Sequence, residues 1–248
     1  MSLLATLHRW WGVAFCLLFA MWFASGIVMH FVPYPERSER PATSELKAPG
    51  SDAELIDDDQ WTVAGDFDYD RPLFRYALND PAGTEIYVSS RSGKVVLTTT
   101  RNARVANYLG SIPHWIYPAP LRHQAGVWRA LLWGLSLLGT IGAAIGVVIG
   151  VVKLGVAIRD RAWPYQGLQA WHHALGLILA PFILMWIFSG LLSLGDSWPL
   201  KSLHTLDFAP LSGHPLLRTI VIVALCLCGL AFSLTGVMLA WRRVREAI

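Results

Sequence analysis

Charge is what this sequence has least of. Only 15% of its 248 residues are Asp, Glu, Lys or Arg, against 54% that are hydrophobic. Soluble domains carry about a quarter charged residues. With a mean hydropathy of +0.44, the shortage points to an integral membrane protein whose first partner is the lipid bilayer. The net charge of +3 is too small to suggest a nucleic-acid partner. Cysteine is scarce too. Cys16, Cys226 and Cys228 all fall inside apolar runs and form neither a C-x-x-C-H haem-attachment motif nor a zinc motif. They read as small packing residues in helices. No carboxylate lies in any apolar span, which argues against di-iron and hard-cation sites. No glycine-rich nucleotide motif is present, so a soluble NAD(P)H site within the chain is not expected.

What is present is a set of four long apolar runs. The first, HRWWGVAFCLLFAMWFASGIVMH, covers residues 8–30 and has no charge between Trp10 and Met29. That matches the roughly 20 apolar residues needed to cross a bilayer. The run is too long for a signal-peptide core, and cleavage would discard His8, so a retained helix is expected. His8 and His30 bracket it. Their separation of 22 positions returns them to within about 40° on one helix face and sets them about 33 Å apart, one near each membrane surface. Gly12, Phe19 and Gly26 share that face. Further uncharged spans cover residues 131–152, 174–195 and 219–241, and most of the twelve tryptophans flank spans, as in interfacial belts. In the second span Gly139, Gly142, Gly146 and Gly150 recur at small-residue spacing. That pattern suits close helix packing before it suits a groove for a flat ligand.

The expected fold is an all-α membrane domain of four transmembrane helices with a small α+β insert between the first two. Its divisions are 1–32 (first helix), 33–124 (insert), 125–153 (second helix), 154–170 (cytoplasmic loop), 171–196 (third helix), 197–215 (outer loop) and 216–248 (fourth helix and basic tail). The insert opens with the proline-rich, charged stretch PYPERSERP. After Asp57, Asp58 and Asp59 comes a β-like series: QWTVA, PLFRYALND and TEIYVSSRSGKVVLTTT, the last with a hairpin signal at SRSGK. Lys153, Arg159 and Arg161, with Arg242, Arg243 and Arg245, gather at one side. The positive-inside rule makes that side cytoplasmic, with both termini inside and the insert outside.

The chain also repeats itself. At an offset of 164, His8 aligns with His172, Gly12 with Gly176, Met21-Trp22 with Met185-Trp186, and Ser25-Gly26 with Ser189-Gly190. At an offset of 90, His114 aligns with His204, Gly139 with Gly229 and Gly146 with Gly236. Two copies of one helical hairpin follow, related by an axis along the membrane normal. His8 and His172 become mates at the inner surface, His114 and His204 at the outer one.

All eight histidines lie at these two levels and none in the β-like segment: His8, His172 and His173 inside; His30, His114, His123, His204 and His214 outside. Ionisable residues at such depths are functional candidates because burying them is costly. Segregation to two levels, partly repeat-related, favours ligation, and bis-imidazole coordination amid glycine and aromatic surface suits two non-covalent b-type haems. Inside, His8 pairs with His172, or with its neighbour His173. Outside, His30 has three competing partners, His114, His123 and His204, with His114 ahead of His123 because it has a mate. His214 reads as a loop residue. Trp22 and Trp186 read as packing anchors, and Ser25 and Ser189 as hydroxyls bonding back to helical carbonyls.

LHRWWG at the start, SGIVMHFVPYP closing the first span, WHHALG opening the third and LHTLDFAPL before the fourth resemble the PepSY-associated transmembrane family, and TEIYVSSRSGKVVL is similar to the second half of a PepSY domain. The resemblance implies a bacterial inner-membrane protein associated with iron uptake, similar to ferric-siderophore reductases that hold two b-type haems. It makes His8, His30, His172 and one of His114, His123 or His204 the ligand candidates. The expected activity is electron transfer from a cytoplasmic or quinol donor to a ferric siderophore or other ferric chelate in the periplasm, where reduction weakens hard-oxygen chelation. Two rival readings are a non-enzymatic PepSY-type binding or regulatory protein and a transporter of iron chelates. The lack of charge within the spans counts against ion coupling in the latter.

Overall fold

The computed structural model describes residues 2–40, 53–193 and 198–247. Pro41, which ends PYPERSERP, and Gly195, where the third span was expected to close, lie outside the described residues. Four helices are long and apolar enough to cross a membrane: α1 (Ser2–Phe31), α5 (Ala125–Asp160), α6 (Gly167–Ser193) and α8 (Pro215–Ala247). Each is apolar around its whole circumference, as a helix solvated by lipid must be. Proline opens α8 at the first helical position, where its missing N–H costs nothing. Pro181 is accommodated inside α6.

The chain divides into two compact units, residues 1–27 with 129–248, and residues 28–128. In the helical unit α6 and α8 approach closely, and α7 (Trp198–His204) returns against α6. The second unit carries the last turn of α1, the first turn of α5 and the insert. Its sheet is a four-stranded antiparallel meander of β1 (Ala53–Ile56), β2 (Leu73–Ala77), β3 (Glu85–Ser89) and β4 (Val95–Thr99) in sequence order. The β3–β4 hairpin turns at Ser89–Lys94, where Gly93 has φ +66°, the left-handed region that glycine enters without cost. Three short helices follow: α2 (Arg101–Leu109), α3 (Ser111–His114) and α4 (Ala119–Arg122). The Thr100 hydroxyl caps α2 by accepting from the Ala103 N–H at 3.3 Å. Trp61, Phe67, Leu73, Tyr87, Val96, Leu97 and Ile112 form the unit's core.

One expected strand is not a strand. QWTVA (residues 60–64) is a tight turn, because Asp59 captures it. Asp59 Oδ1 accepts from the backbone N–H of Trp61 (2.9 Å) and of Thr62 (3.1 Å), and from the Thr62 hydroxyl (3.0 Å). A short side chain that satisfies the next residues' amides outcompetes a ladder. The edge strand lies upstream instead, at β1.

Candidate functional site

In the helical unit, histidines and glycines meet helix to helix. A Cβ built on Gly146 of α5 would lie 2.6 Å from His8 Cε1, so only glycine lets the α1 imidazole seat there. The repeat mates face each other more loosely, at ordinary van der Waals distance. Gly236 of α8 faces His172 of α6, with 3.6 Å from its built Cβ to His172 Cε1. His8 is also an electrostatic neighbour of His172. Two further α5 glycines receive α1 side chains: Gly142 takes Trp11, and Gly139 takes Phe19, which lies 3.1 Å from its built Cβ. Trp11 Nε1–H then donates to the Leu138 carbonyl at 2.9 Å. Gly139, Gly142 and Gly146 are therefore seats for α1 side chains, and Gly150, the last of the stripe, receives Leu177 of α6. Gly12, on α1 itself, has open space around it.

Each histidine has a distinct hydrogen-bond state. The Thr235 hydroxyl donates to the Phe232 carbonyl at 2.6 Å, so it must accept from His172 Nδ1–H at 2.8 Å. That bond fixes the tautomer and turns Nε2 into the lone-pair nitrogen, the arrangement in which metal-ligating histidines are held. Phe232 stacks on the His172 ring at 4.6 Å. His8 Nδ1 is buried without a hydrogen-bond partner, an unmet cost that a bound group would relieve. His173 is turned the other way. Its Nε2–H donates to the Gly150 carbonyl at 3.0 Å, and Trp163 and Tyr165 flank its ring, each at 5.1 Å. On α7, His204 Nδ1–H donates to the Trp186 carbonyl at 3.0 Å, with the Ser189 hydroxyl at 3.3 Å. Burial holds the His204 imidazole below its ordinary value, partly offset by that carbonyl, so it is a neutral ligand-type imidazole near neutral pH.

The second unit holds His30, His114 and His123. His30 ends α1 with its ring edge-on to Phe31 at 5.2 Å. His114 ends α3, whose preceding Gly110 backbone presses on Val28 and Met29 of α1; a Cβ there would meet Val28 Cγ1 at 3.0 Å. His30 and His114 thus stand on elements that pack together. His123 is half-exposed, with Nε2 2.9 and 3.0 Å from the two Asp58 carboxylate oxygens. That hydrogen bonding occupies Nε2. His214 caps the turn that begins α8, accepting at its backbone carbonyl from the Arg218 N–H at 2.9 Å.

The region described as the PepSY-associated TM region matches residues 5–206. The chain belongs to the PepSY-associated transmembrane family. No curated protein and no solved structure matches it. The family match runs from α1 through α7 and takes in seven of the eight histidines, His8, His30, His114, His123, His172, His173 and His204. It stops before α8, so Thr235, Phe232 and Gly236, which seat His172, lie beyond it. Sequence reasoning singled out Gly236 as a repeat mate but not Thr235 or Asp58, which carry no motif of their own. Among the described residues, no group of three or more His, Cys, Asp or Glu side chains is arranged to hold a bare metal ion; a bis-imidazole site requires two. Both serines of the repeat bond back as expected: Ser25 Oγ–H donates to the Met21 carbonyl at 2.6 Å and Ser189 Oγ–H to the Trp186 carbonyl at 3.2 Å.

Proposed function

We propose that this family member is a b-type haem membrane protein that carries electrons across the bacterial inner membrane to a ferric siderophore or other ferric chelate in the periplasm. The observation that carries this reading is the repeated histidine-on-glycine seat, His8 on Gly146 and His172 on Gly236. A glycine faces a histidine at two repeat-related places, tightly at Gly146 and at ordinary van der Waals distance at Gly236; one comes with an unpartnered buried nitrogen and the other with an oriented imidazole. A b-type haem, when bound, supplies reversible one-electron chemistry.

The chain's own residues have four tasks in this reading. His8 and His172 hold the inner group from two helices. Thr235 keeps the His172 proton on Nδ1, away from the ligating nitrogen. His173, whose Nε2 bonds the Gly150 carbonyl and whose ring packs against Trp163 and Tyr165, takes the structural place in the doublet, with its Nδ1 buried and unpartnered like that of His8. At the outer level, His30 and His114 stand on adjoining elements of the second unit, and His204 is the imidazole that the helical unit offers, its Nδ1 proton already spent on Trp186. His123, paired with Asp58, is the weakest of the outer candidates. The basic residues at the C-terminal ends of α5 and α8, Lys153, Arg159, Arg242, Arg243 and Arg245, with Arg161 just beyond α5, support cytoplasmic termini and a periplasmic insert. A cytoplasmic or quinol donor would then feed the inner level.

The deciding experiment is a visible spectrum of the purified, detergent-solubilised protein, oxidised and then dithionite-reduced, with haem quantified per chain. The expected result is b-type α and β bands and close to two haems per chain. Haem content should fall by about one for His8→Ala and for His172→Ala but stay unchanged for His173→Ala, and by about one for His30→Ala. A colourless protein from haem-replete cells would overturn the reading and leave a PepSY-type binding protein in its place.

A further inference from the structure

The second unit leaves one helix face uncovered, and it is graded. On α2 the exposed residues are Arg101, Asn102, Val105, Tyr108 and Leu109. At about 100° per residue they form one continuous stripe. It is polar at the N-terminal end and apolar at the C-terminal end, where Val105, Tyr108 and Leu109 are 57%, 57% and 65% exposed. The opposite face is built in: Asn107 is fully buried, and its Nδ2 donates to the Pro33 carbonyl at 3.2 Å.

Two observations fix where the apolar end lies. Gly110, directly after α2, rests on Val28 and Met29, in the last turns of α1. The α1 span ends at Phe31, so the apolar end of the stripe abuts the place where the chain leaves the bilayer. Tyr108 is also an outer member of an aromatic cluster at that boundary. Its ring packs edge-on against Trp61 at 5.5 Å, Trp61 packs on Tyr34 at 5.9 Å, and Tyr34 on Tyr117 at 5.7 Å. Tyr117 meets Trp128, in the first turn of α5, at 5.5 Å. Arg122 lies over Trp128 at 4.6 Å. Trp61 and Tyr117 are the buried members of this cluster, so Tyr108 is its exposed edge beside the ends of two spans.

We infer that α2 is an interfacial helix whose Val105–Tyr108–Leu109 stripe is immersed in the headgroup region of the bilayer, C-terminal end deepest, with Arg101 and Asn102 in water. Lipid is the occupant because the apolar end of the stripe leads into Gly110, packed on Val28 and Met29 in the last turns of a membrane span whose end is itself exposed, Phe31 to 60%. A nine-residue helix about 13 Å long is also too small to build the roughly 1,000 Å² that a specific protein interface needs. The gradient along the stripe matches the steep polarity change across a headgroup layer. The helix thus gives the insert a third attachment to the membrane besides the ends of α1 and α5. This inference does not depend on haem.

The test uses the full chain in nanodiscs of phosphatidylethanolamine and phosphatidylglycerol. A nitroxide is placed in turn at Leu109→Cys, Val105→Cys, Asn102→Cys and, in the polar β3–β4 turn, Ser92→Cys. The background is Cys228→Ala, since Cys16 and Cys226 are buried. Accessibility to oxygen and to a water-soluble nickel chelate is then read by power saturation. The expected order of depth is Leu109, then Val105, then Asn102, with the Asn102 and Ser92 labels open to nickel and the Leu109 label several-fold more shielded from nickel than from oxygen. If the Leu109 label is as open to nickel as the Ser92 label, the stripe lies in water and the inference fails. Shielding of Leu109 from both reagents also overturns it, because protein then covers the stripe. Should Leu109→Cys not fold, Val105 set against Asn102 gives the same decision.

Discussion

The two units satisfy their buried polar groups by opposite routes. In the helical unit the hydroxyls of Ser25, Ser189 and Ser233 turn back onto carbonyls three or four residues earlier in their own helices. In the second unit buried polar groups reach across the sequence. Tyr87 O–H donates to Asp59 Oδ2 at 2.7 Å; Arg37 donates twice to the Asp70 carboxylate, at 3.0 and 2.8 Å; Gln60 bridges the Tyr117 carbonyl and the Ala119 N–H at 2.7 and 2.9 Å. A helix in lipid has no water to fall back on, so its hydroxyls close locally. A small sheet with a thin core gains its specificity from long-range polar ties. Against that background the imidazoles of the spans stand out, because His172 and His173 bond to a different helix.

The largest expected effect falls on the second unit's core. Leu73 is fully buried in β2. Leu73→Ala should destabilise that unit by about 2–5 kcal/mol through lost transfer energy and a cavity. Limited proteolysis of the membrane-embedded protein should then cut the insert much faster while the α5–α8 fragments persist; equal loss of both would show that the two units stand or fall together.

Tyr87→Phe removes a hydrogen bond to a carboxylate and should cost about 1.5–3 kcal/mol, whereas Ser233→Ala should cost less than about 1 kcal/mol, since its bond is local and lipid-embedded hydrogen bonds average near 0.6. Chemical denaturation in detergent, followed by tryptophan fluorescence, compares them. Equal costs would erase the contrast drawn above.

Gly142→Ala would drive a methyl into the Trp11 indole and should cost about 1–3 kcal/mol by overpacking. Gly12→Ala, with open space around it, should gain up to about 1 kcal/mol from helix propensity. The two melting temperatures should therefore move in opposite directions. Matching shifts would mean that the α5 glycines are not seats for α1.

The smallest effect is a pH dependence in the β2–β3 turn. Asp80 accepts from the Thr84 N–H at 2.8 Å and from its hydroxyl at 2.7 Å, and these bonds hold its carboxyl below the ordinary 3.8. A lowered folded value means that the stabilisation is present at neutral pH and lost as pH falls below about 3.8 and through the folded value. The stability difference between the natural protein and Asp80→Asn should shrink over that acid range; a constant difference would remove Asp80 from the turn's design.

Much of the architecture was legible in the residues. Uncharged runs of bilayer length announced the four spans, and SRSGK between β-branched runs announced the β3–β4 hairpin, because both signals are local. The turn at QWTVA was not legible: alternation suggested a strand, and only the capture of Trp61 and Thr62 by Asp59 decides otherwise. Nor was the division of labour within His172-His173. Adjacent positions differ by about 100° in direction, but which direction meets Thr235 and which meets Gly150 depends on how α6 is rotated against α5 and α8.

By itself the sequence determined that the chain is a four-span membrane protein with a small mixed insert. Length and apolarity are properties of the chain alone, and a bilayer permits few structures besides a helix for such runs. The tertiary structure decided which glycine seats which histidine, which imidazole nitrogen is left as an acceptor, and that the apolar stripe of α2 sits at the end of α1. Those facts arise from helix rotation and side-chain packing, where small residues let backbones approach and a single distant hydroxyl sets a tautomer.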